Sequence, residues 1–82
     1  MEYECYVCRR PASDLHHIFC GRNRKTSDKL GMVVHLCREH HNEVHAHPNH
    51  GLDEILKKEA QEAFETTHTR EEFIKLFGKS YL

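Results

Sequence analysis

Two short half-sites rich in metal ligands constrain the fold of this chain more than any other feature. The first is CYVC at 5–8, and the second is CREH at 37–40. Two ligands separated by two residues on a tight turn can point at one ion, and a pair of such half-sites far apart in sequence is typical of a tetrahedral zinc site. The sequence therefore predicts a structural Zn²⁺ site, called the knuckle site below, formed by Cys5, Cys8, Cys37 and His40.

The small size of the chain gives such a site structural importance. A single domain spanning 1–82, with 38% apolar residues and no Trp, has a thin hydrophobic core. A structural zinc supplies roughly 10–16 kcal/mol of binding free energy in small peptides. The polar stretch 1–10 does not resemble an export signal, and no apolar run is long enough for a membrane span. We expect a cytoplasmic protein that has no membrane contact and keeps its cysteines reduced.

The hydrophobic pattern predicts an α+β domain. Segments 14–21 and 32–37 contain β-branched and aromatic residues and are predicted to be strands that pair as an antiparallel hairpin. The polar, basic segment 22–31 between them is predicted to be a loop. A helix is predicted at 38–47 because Pro48 and a turn follow it.

Two further helices are predicted in the C-terminal part, 52–78. Apolar residues recur at helical spacing over 52–67. The last helix follows Thr69, which forms a capping-box pattern with Glu72. The metal ligands would then lie within 5–47, and the C-terminal helices would supply packing surface.

A second group of candidate ligands overlaps the second half-site. His41 and His45 are four residues apart on the predicted helix, so both rings would lie on one face and could share an ion. His16 or His17 could add a third imidazole, although adjacent strand residues point to opposite faces unless the strand is distorted. Three neutral nitrogens leave coordination positions open, as a catalytic ion requires. The alternative is that these histidines are solvated surface residues.

Charge is unevenly distributed along the chain. The net charge is −1, but the segment 9–29 is mainly basic and the segment 53–72 is mainly acidic. Arg22, Arg24 and Lys25 are candidates for contacts with phosphate groups, which position a nucleic acid without reading its sequence. The alternative is an ordinary solvated loop.

The segments CYVC, LHHIF and LCREHHNEVH together resemble the HNH endonuclease family, whose active site is the ββα-metal (His-Me finger) motif. The resemblance covers residues 5–45. It extends, through the core motif and the ending REEFIKLFGKSYL, to small HNH proteins of phages and prophages akin to RecA-dependent recombination-enhancement nucleases. The implied fold is a zinc-stapled ββα-metal domain with two additional C-terminal helices.

The resemblance implies a residue role for each matching position. His17 matches the general base, and His16, His41 and His45 match the ligands of one catalytic divalent ion, which could be Mg²⁺, Mn²⁺, Ni²⁺ or Zn²⁺. The implied function is hydrolysis of DNA phosphodiester bonds with low sequence specificity. Implied partners are DNA and a recombination protein, in a bacterial or phage-infected cell, with the chain acting as a monomer or a homodimer.

One position departs from the family pattern. The middle Asn of the family falls on Met32 here, and Asn23 and Asn42 are the candidates to replace it. Cys20 is predicted to be a buried apolar thiol, with the alternative that it replaces a knuckle ligand. His35 is predicted to be an ordinary strand residue, with the alternative that it points at the site.

Two other functions stay open beside the nuclease. The first is a zinc-stabilised nucleic-acid-binding module with weak or no catalysis, which the missing Asn favours. The second is a purely structural or protein-interaction zinc domain, which would bind one ion and would not need His16, His41 and His45 together.

Overall fold

The computed structural model describes residues 3–82, so the first two residues of the predicted domain lie outside the described range. Over residues 3–82 the chain forms a two-stranded sheet and four α-helices. In chain order the elements are β1 (Asp14–His17), α1 (Arg24–Lys29), β2 (Val33–Leu36), α2 (Arg38–Ala46), α3 (Leu52–Phe64) and α4 (Arg70–Phe77). This is a small α+β architecture, and the predicted fold class is confirmed at that level.

The two strands pair in the predicted antiparallel way. Asp14 faces Leu36 and His16 faces Val34. The first strand ends at His17, which is earlier than the prediction of 14–21. Because side chains alternate along a strand, Asp14 and His16 share one face of the sheet and His17 lies on the other.

The segment that precedes β1 forms a tight turn that docks on β2. The backbone amide of Arg9 donates to the carbonyl of Cys5 at 3.0 Å, and the amide of Cys5 donates to the carbonyl of Arg10 at 2.7 Å. The amide of Tyr6 donates to the carbonyl of His35 at 2.8 Å. This last bond places the CYVC turn beside the strand that leads into α2.

The prediction of a loop over 22–31 is wrong. Residues Gly21–Asn23 form a 3₁₀ turn and Arg24–Lys29 form α1. Ser27 of α1 is fully buried: its hydroxyl donates to the carbonyl of Met32 at 2.6 Å and accepts from the amide of Phe19 at 3.3 Å. The segment therefore has an inward-facing side that ties the end of β1 to the start of β2.

The turn between α2 and α3 is fixed by a buried ion pair. Lys57 Nζ lies 2.9 Å from Asp53 Oδ2, and both side chains are at least nine-tenths buried. The amide of Asn49 donates to the same carboxylate at 2.7 Å, and Lys57 donates to the side-chain oxygen of Asn49 at 2.8 Å. These bonds set the direction in which α3 leaves α2.

The C-terminal helices contribute apolar side chains to the buried core. On α3 the residues Leu56, Ala60 and Phe64 are buried, whereas Ile55 is 53% exposed. The helix ends at Phe64, three residues before its predicted end. The capping box at the start of α4 is confirmed, since the side chain of Thr69 accepts from the amide of Glu72 and the reciprocal bond is also present.

An aromatic cluster joins α4 to Phe19, the second residue after β1. The ring of Phe19 lies 4.4 Å from that of Phe77 and 5.7 Å from that of Phe73, measured between centroids. Both α4 rings are buried. Within residues 3–82, no helix is long and apolar enough to cross a lipid bilayer.

Candidate metal centres

The N-terminal turn and the start of α2 bring the four residues of the knuckle site together. Their ligand atoms all lie within 4.8 Å of one another. Cys8 Sγ and Cys37 Sγ are 3.8 Å apart, and His40 Nδ1 lies 3.2 Å from Cys37 Sγ. Two sulfurs bound to one tetrahedral zinc at about 2.3 Å are themselves about 3.8 Å apart. The knuckle site could therefore hold a metal ion such as zinc.

The surroundings of the two N-terminal thiols favour the thiolate form that binds metals. Burial alone would raise the pKa of Cys5, but backbone N–H groups, chiefly that of Cys37, outweigh burial and lower the pKa to about 6. The guanidinium of Arg10 donates to Cys8 Sγ at 3.3 Å, and this bond lowers the pKa of the Cys8 thiol. Both thiols are therefore easier to ionise than a free cysteine.

Strand β1 and helix α2 bring His16, His41 and His45 together; these three residues are called the histidine site below. Nε2 of His41 and Nε2 of His45 are 3.0 Å apart across one helical turn. The ring of His16 lies edge-on to both, with centroid distances of 5.4 Å. One nitrogen from each ring falls within 4.8 Å of the other two. The spacing that the sequence offered for His41 and His45 is therefore realised, with His16 rather than His17 as the third ring.

The Nε2 atom of His16 gives the strongest indication that the histidine site binds an ion. This atom is buried without a hydrogen-bond partner, which holds for no other buried side-chain nitrogen or oxygen among residues 3–82. Burial, with smaller contributions from the nearby His41 and His45, lowers the pKa of His16 to about 4, so the ring is neutral at neutral pH. A buried polar atom needs a partner, and an ion among the three rings would supply one. The residues present therefore fit a bound divalent metal.

His17 lies on the other face of β1 but reaches the same opening. An open cavity of about 310 Å³ is lined by His17 together with the three rings of the histidine site. Nε2 of His17 lies 3.2 Å from Oδ1 of Asp28 on α1. Because a carboxylate only accepts, Nε2 carries the proton and the neutral ring keeps a lone pair on Nδ1.

Asp14 is a contributor that sequence reasoning missed. Its Oδ2 lies 3.1 Å from Nδ1 of His41, and its Oδ1 lies 3.5 Å from the guanidinium of Arg38. The pKa of Asp14 is lowered, first by the hydroxyl of Ser13 and also by His41 and Arg38. The available signal was its position two residues before His16, which puts both on one face of a strand.

The three basic residues predicted to contact phosphate lie beside the histidine site. Arg22 is in the 3₁₀ turn, and Arg24 and Lys25 are on α1; all three are exposed. Arg24 lines the cavity of the histidine site, and with Lys25 it also lines a neighbouring open cavity that contains His17 and Asp28. None of the three forms an ion pair with another described residue. The charges of Arg24 and Lys25 are thus available at the cavities that His17 also lines.

The candidates to replace the family Asn lie elsewhere. Asn23 donates from Nδ2 to the carbonyl of Phe77 at 3.2 Å, and Asn42 is exposed on α2. At the predicted position, Met32 is buried and its carbonyl accepts from Ser27. A serine on α1 therefore links the two ends of the hairpin. The sequence did not predict this link, because Ser27 lies in a polar, charged segment that resembles a loop.

Two further expectations have clear outcomes. Cys20 is exposed, so its prediction as a buried thiol is wrong; β1 ends before it and the 3₁₀ turn begins after it. It also stands apart from the knuckle site and lines the cavity of the histidine site. His35 stacks on the ring of Tyr3, with centroids 3.9 Å apart, and faces away from His16. The prediction of His35 as an ordinary strand residue is confirmed.

The sequence matches no model of a known protein family, and neither a curated protein nor a solved structure matches the chain.

Proposed function

We propose that this chain is a metal-dependent endonuclease of the HNH type that hydrolyses DNA phosphodiester bonds with low sequence specificity. One observation carries the proposal. The buried Nε2 of His16 has no hydrogen-bond partner among the described residues, one nitrogen of its ring lies within 4.8 Å of a nitrogen of His41 and of His45, and His17 lines the same cavity. Candidate metal ligands and a candidate general base thus share one opening.

The chemistry divides between the bound ion and the side chains of this chain. A divalent ion held by the histidine site would stabilise negative charge on the phosphate and on the leaving 3′ oxygen. His17 accepts a proton at Nδ1 from the water that attacks phosphorus. Asp28 accepts a hydrogen bond from the Nε2–H of His17, which holds the proton on Nε2 and leaves Nδ1 to act as the base. Products would carry 5′-phosphate and 3′-hydroxyl ends, as in the family that the sequence resembles.

The knuckle site has a separate role in this proposal. Its zinc would fix the start of α2 against the N-terminal turn, because Cys37 immediately precedes α2 and His40 lies in its first turn. The following residue, His41, belongs to the histidine site. One ion therefore orders the helix that presents two ligands to the other ion.

Substrate contact is proposed on the face that carries Arg22, Arg24 and Lys25. Phosphate groups bound there would lie next to His17, since Arg24 and His17 line the same two cavities. Such contacts position the backbone and carry no sequence information. The proposed substrate is DNA, and a recombination protein is proposed as the partner that recruits the chain. The chain is proposed to act as a monomer or a homodimer.

A second candidate function has its own observation. Met32 stands where the family has Asn, and neither Asn23 nor Asn42 takes its place. A chain with both metal sites and weak or no catalysis would act as a zinc-stabilised nucleic-acid-binding module. It would bind DNA and leave it intact.

Cleavage of supercoiled plasmid by the full chain tests the proposal. Reactions with added Mg²⁺, Mn²⁺ or Ni²⁺ are compared with a chelator control and with His17→Ala. We expect nicking that needs the ion and that falls by about 10²–10⁴-fold in the variant, the usual contribution of a general base. A His17→Ala chain that keeps its fold and zinc, and still cuts, would remove His17 from the mechanism. Binding without cutting by wild type would select the binding module.

A further inference from the structure

Asp14 and His16 project from the same face of β1, two residues apart, and both reach α2. His16 contributes a ring to the histidine site, whereas Asp14 contacts the outer nitrogen of His41 at 3.1 Å. The side chains of Asp14 and His41 are each 21% exposed, so their contact is partly shielded from water. Strand β1 thus supplies one candidate ligand, His16, and contacts the Nδ1 side of a second candidate ligand, His41, through Asp14.

Two neighbours hold the Asp14 carboxylate in place. The hydroxyl of Ser13 donates to Oδ2 at 2.9 Å, and the guanidinium of Arg38, in the first turn of α2, lies 3.5 Å from Oδ1. The backbone of Asp14 is fixed by its pairing with Leu36. The carboxylate is therefore set by the sheet and by α2 together, and is not free to follow the ring of His41.

The contact decides which nitrogen of His41 can bind an ion. A carboxylate has no proton to give, so Nδ1 of His41 must be the donor and carries the hydrogen. In the neutral ring the lone pair is then on Nε2. That atom lies 3.0 Å from Nε2 of His45, on the side where the three rings meet.

We propose that Asp14 is a positioning residue of the histidine site, which fixes the tautomer and ring orientation of His41 so that Nε2 is presented to a divalent cation. The inference rests on the metal-binding part of the proposed function and not on DNA cleavage. Histidine ligands commonly donate their second N–H to a carboxylate, and loss of such a partner costs about 10–100-fold in metal affinity or activity.

Cobalt binding to the full chain tests the inference. The knuckle site is first filled with one zinc per chain, and Co²⁺ is then titrated while its visible absorption is followed. A thiolate-to-cobalt charge-transfer band would reveal displacement at the knuckle site, so its absence assigns the signal to histidine ligands. His41→Ala serves as the variant that lacks the site.

The variants are Asp14→Ala and Asp14→Asn, with Glu43→Gln as a matched control. Glu43 is an exposed carboxylate on α2, so its replacement changes net charge equally without touching His41. We expect the dissociation constant for Co²⁺ to rise about 10–100-fold in Asp14→Ala. A smaller rise is expected in Asp14→Asn, which keeps an acceptor oxygen but loses its charge, and no change is expected in Glu43→Gln. Circular dichroism and zinc content check that each variant is folded.

A second measurement needs no metal beyond the zinc in the knuckle site. Nitrogen-15 spectra of the zinc-loaded chain should show His41 protonated on Nδ1 in wild type and redistributed toward Nε2 in Asp14→Ala. Wild-type cobalt affinity and an unchanged tautomer in both Asp14 variants would overturn the inference, as would a wild-type chain that takes up no cobalt beside its zinc. If affinity falls as expected but wild type does not cut DNA, the role of Asp14 stands and the nuclease proposal fails.

Discussion

Nε2 of His17 on β1 lies 3.2 Å from Oδ1 of Asp28 on α1, so the short helix between the strands touches the proposed general base. The side chain of His17 is 15% exposed and that of Asp28 is 68% exposed. The contact is therefore at the rim of the site, where water and substrate can reach it. It links the basic inter-strand segment, which is proposed to bind phosphate, to the residue proposed as the general base.

Replacing Asp28 with Ala, which removes the acceptor, is expected to lower kcat for plasmid nicking while KM stays constant or falls. A net hydrogen-bond contribution of about 0.5–1.5 kcal/mol corresponds to roughly a two- to thirteenfold loss of rate. Steady-state nicking rates at several DNA concentrations separate the two constants. Lys29→Gln, the exposed neighbour on α1, is the control for a local change of charge. An unchanged kcat in Asp28→Ala would show that the carboxylate does not orient the base.

Cysteine variants should separate the knuckle site from the rest of the chain. Cys8→Ser removes a proposed zinc ligand, and structural zinc contributes roughly 10–16 kcal/mol, which is comparable to the whole stability of a small domain. We expect this variant to be largely unfolded by circular dichroism and to bind less than one zinc per chain. Cys20→Ser should keep its fold and zinc, because Cys20 is exposed and outside the knuckle site. Equal behaviour of the two variants would refute the assignment.

Ser27→Ala should destabilise the hairpin without touching either metal site. The change leaves the carbonyl of Met32 and the amide of Phe19 without their side-chain partner in a buried place. The expected cost is about 1–3 kcal/mol of unfolding free energy, measured by denaturant titration of the zinc-loaded chain. Thr26→Ala on the same helix is the matched control. A Ser27→Ala chain as stable as the control would show that α1 is not what ties the strands together.

Arg24 and Lys25 should contribute to DNA affinity through charge alone. Each phosphate contact that is lost lowers the slope of log affinity against log salt concentration by about one unit. Fluorescence anisotropy with a labelled duplex, at a series of salt concentrations, measures this slope for Arg24→Gln and Lys25→Gln. Lys58→Gln on α3 is the control, since Lys58 pairs with Glu54 at 3.4 Å. If the control weakened binding as much as the test variants, the proposed face would be wrong.

Local patterns predicted the elements that carry the metal ligands. The CxxC and CxxH spacings, and the four-residue separation of His41 and His45, depend only on turn and helix geometry, so the clusters could be anticipated before any tertiary structure. Strand pairing and the capping box at Thr69 followed from equally local signals. Within each half-site, the His41–His45 pair and the capping box, sequence neighbours are also spatial neighbours.

The remaining features depend on contacts between distant segments. Helix α1 has a polar sequence, and its one buried residue is a serine that bonds to Phe19 after β1 and to Met32 before β2. Asp14 and Asp28 gain their roles from contacts with His41 and His17, which lie in other secondary-structure elements. No periodic pattern marks such residues, because their roles arise from one hydrogen bond each.

The central claim is that α2 and the cysteine before it supply ligands to two different ions. Native mass spectrometry of the full chain, loaded with zinc and then with nickel, tests it most directly. We predict two ions on wild type and on His47→Ala, an exposed histidine outside both clusters. His45→Ala should keep its fold and one zinc but lose the second ion. A wild-type chain that binds a single ion, or a His45→Ala chain that loses its zinc together with the nickel, would contradict the division of the histidines between two sites.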